Sequence, residues 1–172
     1  MAKISLRRIT LADAEELAAF NRRNRDFLAP YDPVRPEAYY HVDGLRELIE
    51  RAHADEGDRL IDYSVVCDGD IVGKIALCNV RRGSFQNAIV GYSIDEACNG
   101  RGYGTIALKL AVDHAFRQHQ LHRVEAGTLP DNVASQRVLA KAGFARIGIS
   151  PLHLRINGAW RDHVLFARVA DD

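Results

Sequence analysis

The chain opens with alternation. In "KISLRRIT", Ile4, Leu6 and Ile9 fall on one face, the period of a half-buried strand. The spacing then lengthens to that of a helix. In "LADAEELAAFNRRNRDFL", Leu11, Ala14, Leu17, Ala18 and Leu28 recur at helical intervals, with Thr10 as the cap. Pro30, Pro33 and Pro36 make "APYDPVRPEAYY" a loop. "EAYYHVDGLRELIERAHA" follows as a second helix, interrupted near Gly44. "LIDYSVVC" and "IVGKIALCNV" flank Asp68-Gly69 and read as a hairpin, since Asp-Gly suits a tight turn. After the loop "RRGSFQN", "AIVGYSID" is a fourth strand. A glycine-rich stretch precedes a helix over residues 105–118, and "HRVEAGTL" is a fifth strand. "NVASQRVLAKA" is a short helix stopped by Gly143. "ARIGISPLHLRI" and "AWRDHVLFARV" close the chain around an Asn157-Gly158 turn. The order β-α-α-β-β-β-α-β-α-β-β predicts a mixed α/β sheet, seven strands and four helices, with helices packed on its faces.

Composition narrows this picture little. At 172 residues, 47% apolar and 27% charged, the chain fits one soluble domain spanning residues 1–172. Lys plus Arg and Asp plus Glu are both 23, which leaves no global electrostatic reason to bind DNA or an anionic membrane. No apolar run approaches the ~20 residues of a bilayer span. "MAKISLRRIT" has no apolar segment followed by a cleavage site, so a cytoplasmic protein is expected. Cys67, Cys78 and Cys98 are scattered, as in a reducing compartment without structural zinc. His119 and His122 fall where a helix should end, which suits a helix dipole better than a metal. Monomer and homodimer are equally open.

The glycine stretch "CNGRGYGTIALKLAVDHAF" carries chemistry. Gly100, Gly102 and Gly104 strip side chains just where a helix begins. A helix N-terminus leaves N–H groups unpaired and carries partial positive charge, and glycines let an anion approach it. Phosphate or pyrophosphate is the usual guest. The dinucleotide spacing G-x-G-x-x-G is not met, and "GDIVGKI" fails the P-loop pattern because Ile75 follows Lys74. A plain surface turn remains the alternative. Further on, "DNVASQRVLAKAGF" sets Asn132 and Ser135 at another helix start, either as caps or as one side of a cleft between two strand ends.

With these motifs the chain resembles the GNAT superfamily of acetyl-CoA-dependent N-acetyltransferases. Asn99, Gly102 and Gly104 stand where that superfamily has Gln/Arg-x-x-Gly-x-Gly/Ala, with Asn replacing Gln or Arg. "NRDFLAPYDP", "GYSIDEACNGRGYGTIAL", "HRVEAGTLPDNVASQRVLAKAGF" and "NGAWRDHVLFA" are similar to the RimJ/RimL type, which acetylates N-termini of ribosomal proteins. The resemblance covers essentially the whole chain. It implies a mostly antiparallel sheet with a central parallel pair splayed at the cofactor site. It also implies acetyl-CoA as donor and an acceptor amine, first of all a protein N-terminus. A small-molecule amine or a non-catalytic acyl-CoA-binding role are the alternatives.

The resemblance also implies roles for residues. Backbone groups of Tyr92, Ser93 and Ile94 would bond the pantetheine arm and the acetyl carbonyl. Gly100, Arg101, Gly102, Tyr103, Gly104 and Thr105, with Asn99 before them, would cradle the pyrophosphate. Asn132 would meet the cofactor arm. Leu139 stands where many relatives have an acidic tyrosine, and Leu154 where RimL-like proteins have a glutamate. RimL-like proteins place a serine three residues after the Asn, and the resemblance makes that serine, Ser135, the expected partner of the leaving thiolate. Glu125 is the first candidate base, because a charge within a strand needs a reason. His153 and a water relay follow. An α-amine of pKa ~8 is roughly 10% neutral at pH 7, so it asks less of a base than lysine does. Trp160 and the basic "RRNR" at 22–25 would border the acceptor.

Overall fold

The computed structural model describes residues 3–54 and 59–171. All seven expected strands form: β1 (Ile4–Arg8), β2 (Leu60–Cys67), β3 (Asp70–Arg81), β4 (Asn87–Ile94), β5 (Arg123–Thr128), β6 (Ala145–Ile156) and β7 (Ala159–Val169). They build one sheet in the order β1-β2-β3-β4-β5-β7-β6. Every neighbouring pair is antiparallel except β4 and β5. Both expected hairpin turns carry two residues with positive φ, Asp68 (51°) and Gly69 (107°), then Asn157 (45°) and Gly158 (80°). That twist matches the flanking strands.

Five helices form rather than the four expected: α1 (Ala14–Arg23), α2 (Arg25–Leu28), α3 (Val42–His53), α4 (Tyr103–Arg117) and α5 (Val133–Lys141). The extra one comes from a break at Asn24. This residue is fully buried, and its side chain has work elsewhere. Its Nδ2 donates to the Phe20 carbonyl at 3.0 Å, and its Oδ1 accepts from the Glu96 N–H at 2.9 Å. An Asn side chain competing for backbone partners interrupts a helix in this way. The second expected helix also divides, but at His41 rather than Gly44. Residues Glu37–Tyr40 form a tight 3-10 turn, His41 is extended, and α3 starts at Val42. Gly44 serves close packing, since a Cβ there would lie 2.3 Å from the Ala38 carbonyl oxygen. Thr10 does begin the first helical stretch: its N–H donates to Asp13 Oδ2 at 2.8 Å.

Two apolar clusters hold the layers together. On one face, Ala107, Leu108, Ala111, Val112 and Ala115 of α4 and Leu139 of α5 pack on Val65, Ile75, Leu77, Val90 and Val124. Burying Leu108 completely contributes about 2 kcal/mol. On the other face, Leu17 and Ala18 of α1 and Leu45 and Ile49 of α3 cover Ile9 and Ile71. Strand β4 runs between both layers. Ala88, Val90, Tyr92 and Ile94 face α4, so Ile89, Gly91 and Ser93 face the α1 side. Among the described residues no helix is long and apolar enough to cross a membrane.

Candidate active site

The parallel pair is brief. β4 and β5 are in register only at Asn87–Ile89 against Arg123–Glu125. Beyond that the strands part, and β4 residues from Val90 to Ile94 have no β5 partner. Their backbone groups on that side need partners from elsewhere. The splay therefore presents an open strand edge, flanked by α4 and α5 on one face and by α1 and α2 on the other.

The first face leads to the glycine stretch. Asp95 ends β4 and accepts from the Ala97 N–H at 3.1 Å, starting a short 3-10 turn. Burial opposes its charge, but Arg23 Nε at 2.5 Å, Ala97 and Asn24 hold its carboxyl below the usual range. Gly100 (φ 76°) and Gly102 (φ 80°) then turn the chain into α4. A Cβ at either would meet nothing within 4 Å, so the space above the helix start is open. The residues fit a pyrophosphate: a bare, left-handed backbone leads into unpaired N–H groups at the positive end of a fifteen-residue helix. Asn99, Gly100 and Arg101 are exposed beside it. The Tyr103 side chain is buried, with its hydroxyl accepting from Cys67 Sγ at 3.5 Å, so its part in a cradle would be its backbone. Gly104 sits over Tyr92 and Ile94, where a Cβ would make ordinary contacts of 3.5–3.8 Å. Thr105 follows it in the first turn, half-buried.

At the mouth of the splay, Asn132 caps α5 by accepting the Ser135 N–H at 3.1 Å. That leaves the Ser135 hydroxyl free to reach Tyr92, whose phenol lies 3.0 Å away. Burial pushes the Tyr92 pKa up to about 12, so the phenol stays neutral and can donate or accept. Two hydroxyls in series thus span β4 and α5. Sequence reasoning valued Tyr92 only for its backbone. Its place in the α4-facing alternation, with Gly104 beneath the ring, was the available signal.

The opposite face holds a cleft of about 210 Å³ between α1, α2, the loop after them and the tip of the β6–β7 hairpin. The Asn157 N–H donates to the Asp32 carbonyl at 3.2 Å and ties that tip to the loop. Lys74 forms the inner end. It is the register partner of Ser93 and projects to the α1 side, where Nζ donates to Asn21 Oδ1 at 2.7 Å and to the Tyr39 hydroxyl. The Tyr39 ring also lies 4.3 Å from Nζ. Burial, more than the opposing influences of Asp32 and Arg35, brings the Lys74 pKa down to about 7. Ser93 Oγ is buried and makes no hydrogen bond to any described residue. Asn24 and Arg25 of the basic 22–25 stretch line this cleft, as expected of a segment bordering the acceptor, but Lys74 at its inner end was missed, although it stands alone in the otherwise apolar "IVGKIAL".

The proposed bases lie deeper or further out. Glu125 is at the last paired position of the splay, with Arg123 Nε 2.6 Å from its carboxylate. His153 is exposed on β6, its Nδ1 3.0 Å from Ser150 Oγ. Its ring is 5.4 Å from that of His163, a buried residue of β7 whose pKa is lowered by burial and which lies beside Gly127 of β5. Trp160 is 60% exposed and forms a shallow surface groove with Pro130 and Asp131, just before Asn132.

Comparison with known proteins agrees with this geometry. Residues 3–145 match the family model described as "Acetyltransferase (GNAT) domain". The chain is 39% identical over 98% of its length to "Probable N-acetyltransferase YjcK" of Bacillus subtilis (strain 168), covering 95% of that protein. It is 35% identical over 93% of its length to "[Ribosomal protein uS5]-alanine N-acetyltransferase" of Escherichia coli (strain K12), covering 84% of that protein. Among solved structures, "Mycobacterium smegmatis RimJ in complex with CoA-disulfide" superposes with a TM-score of 0.92 at 31% identity, over 97% of this chain and 82% of that one.

Proposed function

Because the chain belongs to the GNAT acetyltransferase family and is an acetyl-CoA-dependent N-acetyltransferase, we propose that its acceptor is the N-terminal α-amine of a protein, with a ribosomal protein as the first candidate. The observation that carries this reading is the near full-length similarity to an enzyme named for acetylating an alanine of a ribosomal protein. A cleft open to the surface with the buried Lys74 among its lining residues supports it, because a chain end can enter such a space while the rest of its protein stays outside.

In this reading each face of the splay has its own task. The backbone from Gly100 to Thr105 binds the donor's pyrophosphate, and Arg101 adds charge at the rim. The open edge of β4 over Tyr92, Ser93 and Ile94 accepts the extended donor arm as a further strand. A main-chain N–H near Ile94 holds the developing charge on the carbonyl oxygen. Asn132 orients the arm beside α5. The amine attacks the thioester directly, without a covalent acyl-enzyme, and the Ser135 hydroxyl, hydrogen-bonded to Tyr92, protonates the departing thiolate. The acceptor amine arrives from the α1 side through the cleft.

Thiol release from acetyl-CoA, followed with peptides beginning Ala, Ser or Met and with small amines, tests the acceptor. Peptide turnover with a preference for the first residue is expected. Turnover of small amines alone would overturn the α-amine reading, and tight acetyl-CoA binding with no turnover on any amine would point to a non-catalytic module.

A further inference from the structure

We propose that the Lys74 amine, at the inner end of the cleft and opposite Ser93, accepts the proton of the attacking amine during acetyl transfer. The inference rests on the reading of this cleft as the acceptor's entrance.

Placement is the first argument. Lys74 pairs with Ser93 and shares its face of the sheet, one residue from Ile94 at the end of the open β4 edge. A side chain there faces the acceptor side of the position where the carbonyl would lie. The second argument is chemical. A buried ammonium is normally matched by a carboxylate. Lys74 instead bonds two neutral groups, the Asn21 carboxamide and the Tyr39 hydroxyl, and rests against the Tyr39 ring. The neighbouring charges are spoken for. Arg25 is paired with Glu37 and Arg35 with Asp32, while Asp26 lines the rim. The amine thus has its pKa lowered toward neutrality, the range a general base needs. The third argument is the orphaned Ser93 hydroxyl, buried beside it with no partner among the described residues. Such a group calls for a polar guest.

The step balances without any further reagent. The acceptor nitrogen forms the C–N bond to the thioester carbon as the C–S bond breaks. The electron pair of that bond leaves on sulfur, which takes its proton from Ser135. The proton on the acceptor nitrogen passes to Lys74 Nζ, the resulting ammonium returns it to water through the open cleft, and water restores one proton to the Ser135–Tyr92 pair once the thiol has left. Tyr39 and Asn21 hold Nζ in place and have capacity to stabilise either protonation state.

The test compares wild type with Lys74→Met, which keeps the apolar stem, and Lys74→Arg, which keeps the charge but cannot accept a proton near neutral pH. All three are assayed against pH with one acceptor peptide, so the peptide's own ionisation cancels in the rate ratios. The wild-type to Lys74→Met ratio of kcat should be about 10² on its upper plateau. It should fall roughly tenfold per pH unit below about pH 7. Lys74→Arg should be as impaired as Lys74→Met, while both retain acetyl-CoA affinity by calorimetry. A flat ratio would reduce Lys74 to a structural role and overturn the proposal. A Lys74→Arg enzyme with near wild-type rates would do the same, by showing that charge suffices. Loss of the low-pH limb in Glu125→Gln, with the limb kept in Lys74→Met, would move the role to Glu125. NMR titration of the lysine amines, assigned with Lys74→Met, reads the group independently of turnover. An inflection near pH 7 supports the proposal, and one near 10 overturns it even in an active enzyme. No turnover with any amine would instead sink the acceptor reading on which it rests.

Discussion

The two faces of β4 are built on different principles. Toward α4 and α5 the site is largely backbone: a positive-φ glycine turn, a helix N-terminus and an unpaired strand edge, with Ser135 and Tyr92 as its main side chains. Toward α1 and α2 it is almost all side chain, assembled from Asn21, Tyr39, Lys74 and the hairpin tip. In the proposed reading the first kind of site recognises a group that is the same in every turnover, and the second sets which amine is accepted and can change without disturbing the first. The contrast is sharpest at Gly102→Val. A φ of 80° with a branched Cβ is strongly strained, and the added methyls would occupy the opening above α4. Calorimetry should show acetyl-CoA affinity lost by more than about 100-fold, an effect of roughly 3 kcal/mol or more. Normal affinity would break the assignment of the donor to that face.

Ser135→Ala probes the one place where the proposed donor face would do chemistry with a side chain. Removing the hydroxyl takes away the 3.0 Å partner of the Tyr92 phenol and leaves it the Ser135 carbonyl at 3.4 Å. We expect kcat to fall by about 10–100-fold, the scale of a lost proton donor, while acetyl-CoA affinity stays within about twofold. The capping bond from Asn132 Oδ1 goes to the backbone of residue 135, so α5 should survive. An unchanged kcat would assign the proton to Tyr92 alone or to water.

This division explains what the sequence could disclose. Strands and turns followed from local alternation and from Asp-Gly and Asn-Gly pairs. The donor face was legible because glycines and helix starts are contiguous in the chain, so Gly100 to Thr105 announced themselves. The acceptor face was not. Lys74 and Asn21 are 53 residues apart, and Lys74 and Tyr39 are 35 apart. Nothing local says that they meet. The helix break at Asn24 had the same origin, because the partner that claims its side chain is Glu96, 72 residues away. Glu125 was singled out as a charge in a strand, and the local reason for it is Arg123, two residues before.

Asn24→Ala tests how the faces are joined. Asn24 links α1 and α2 to the end of β4, next to the Arg23–Asp95 pair. Its loss leaves the Glu96 N–H without that acceptor, which should cost about 1–3 kcal/mol in denaturant unfolding. If the acceptor face is positioned through this tie, KM for the peptide should rise several-fold with acetyl-CoA affinity little changed. Equal loss at both faces would mean that the two are not separable.

The smallest signal is a slope, and it isolates the acceptor face without any assay of activity. With a pKa of about 7 in the folded chain and ~10.4 when unfolded, Lys74 is protonated in both states below pH 7. There its burial carries the full cost. Between pH 7 and about 10 the unfolded chain binds a proton that the folded one does not, so the cost shrinks as pH rises. Relative to Lys74→Met, wild-type stability should therefore climb by about 1.4 kcal/mol per pH unit in that window and run parallel to the variant below it. The variant should be the more stable protein at pH 7, as expected if the site keeps a buried amine for function rather than stability. Parallel curves throughout would place the Lys74 ammonium in contact with water, and the acceptor cleft would then be as open at its inner end as at its mouth.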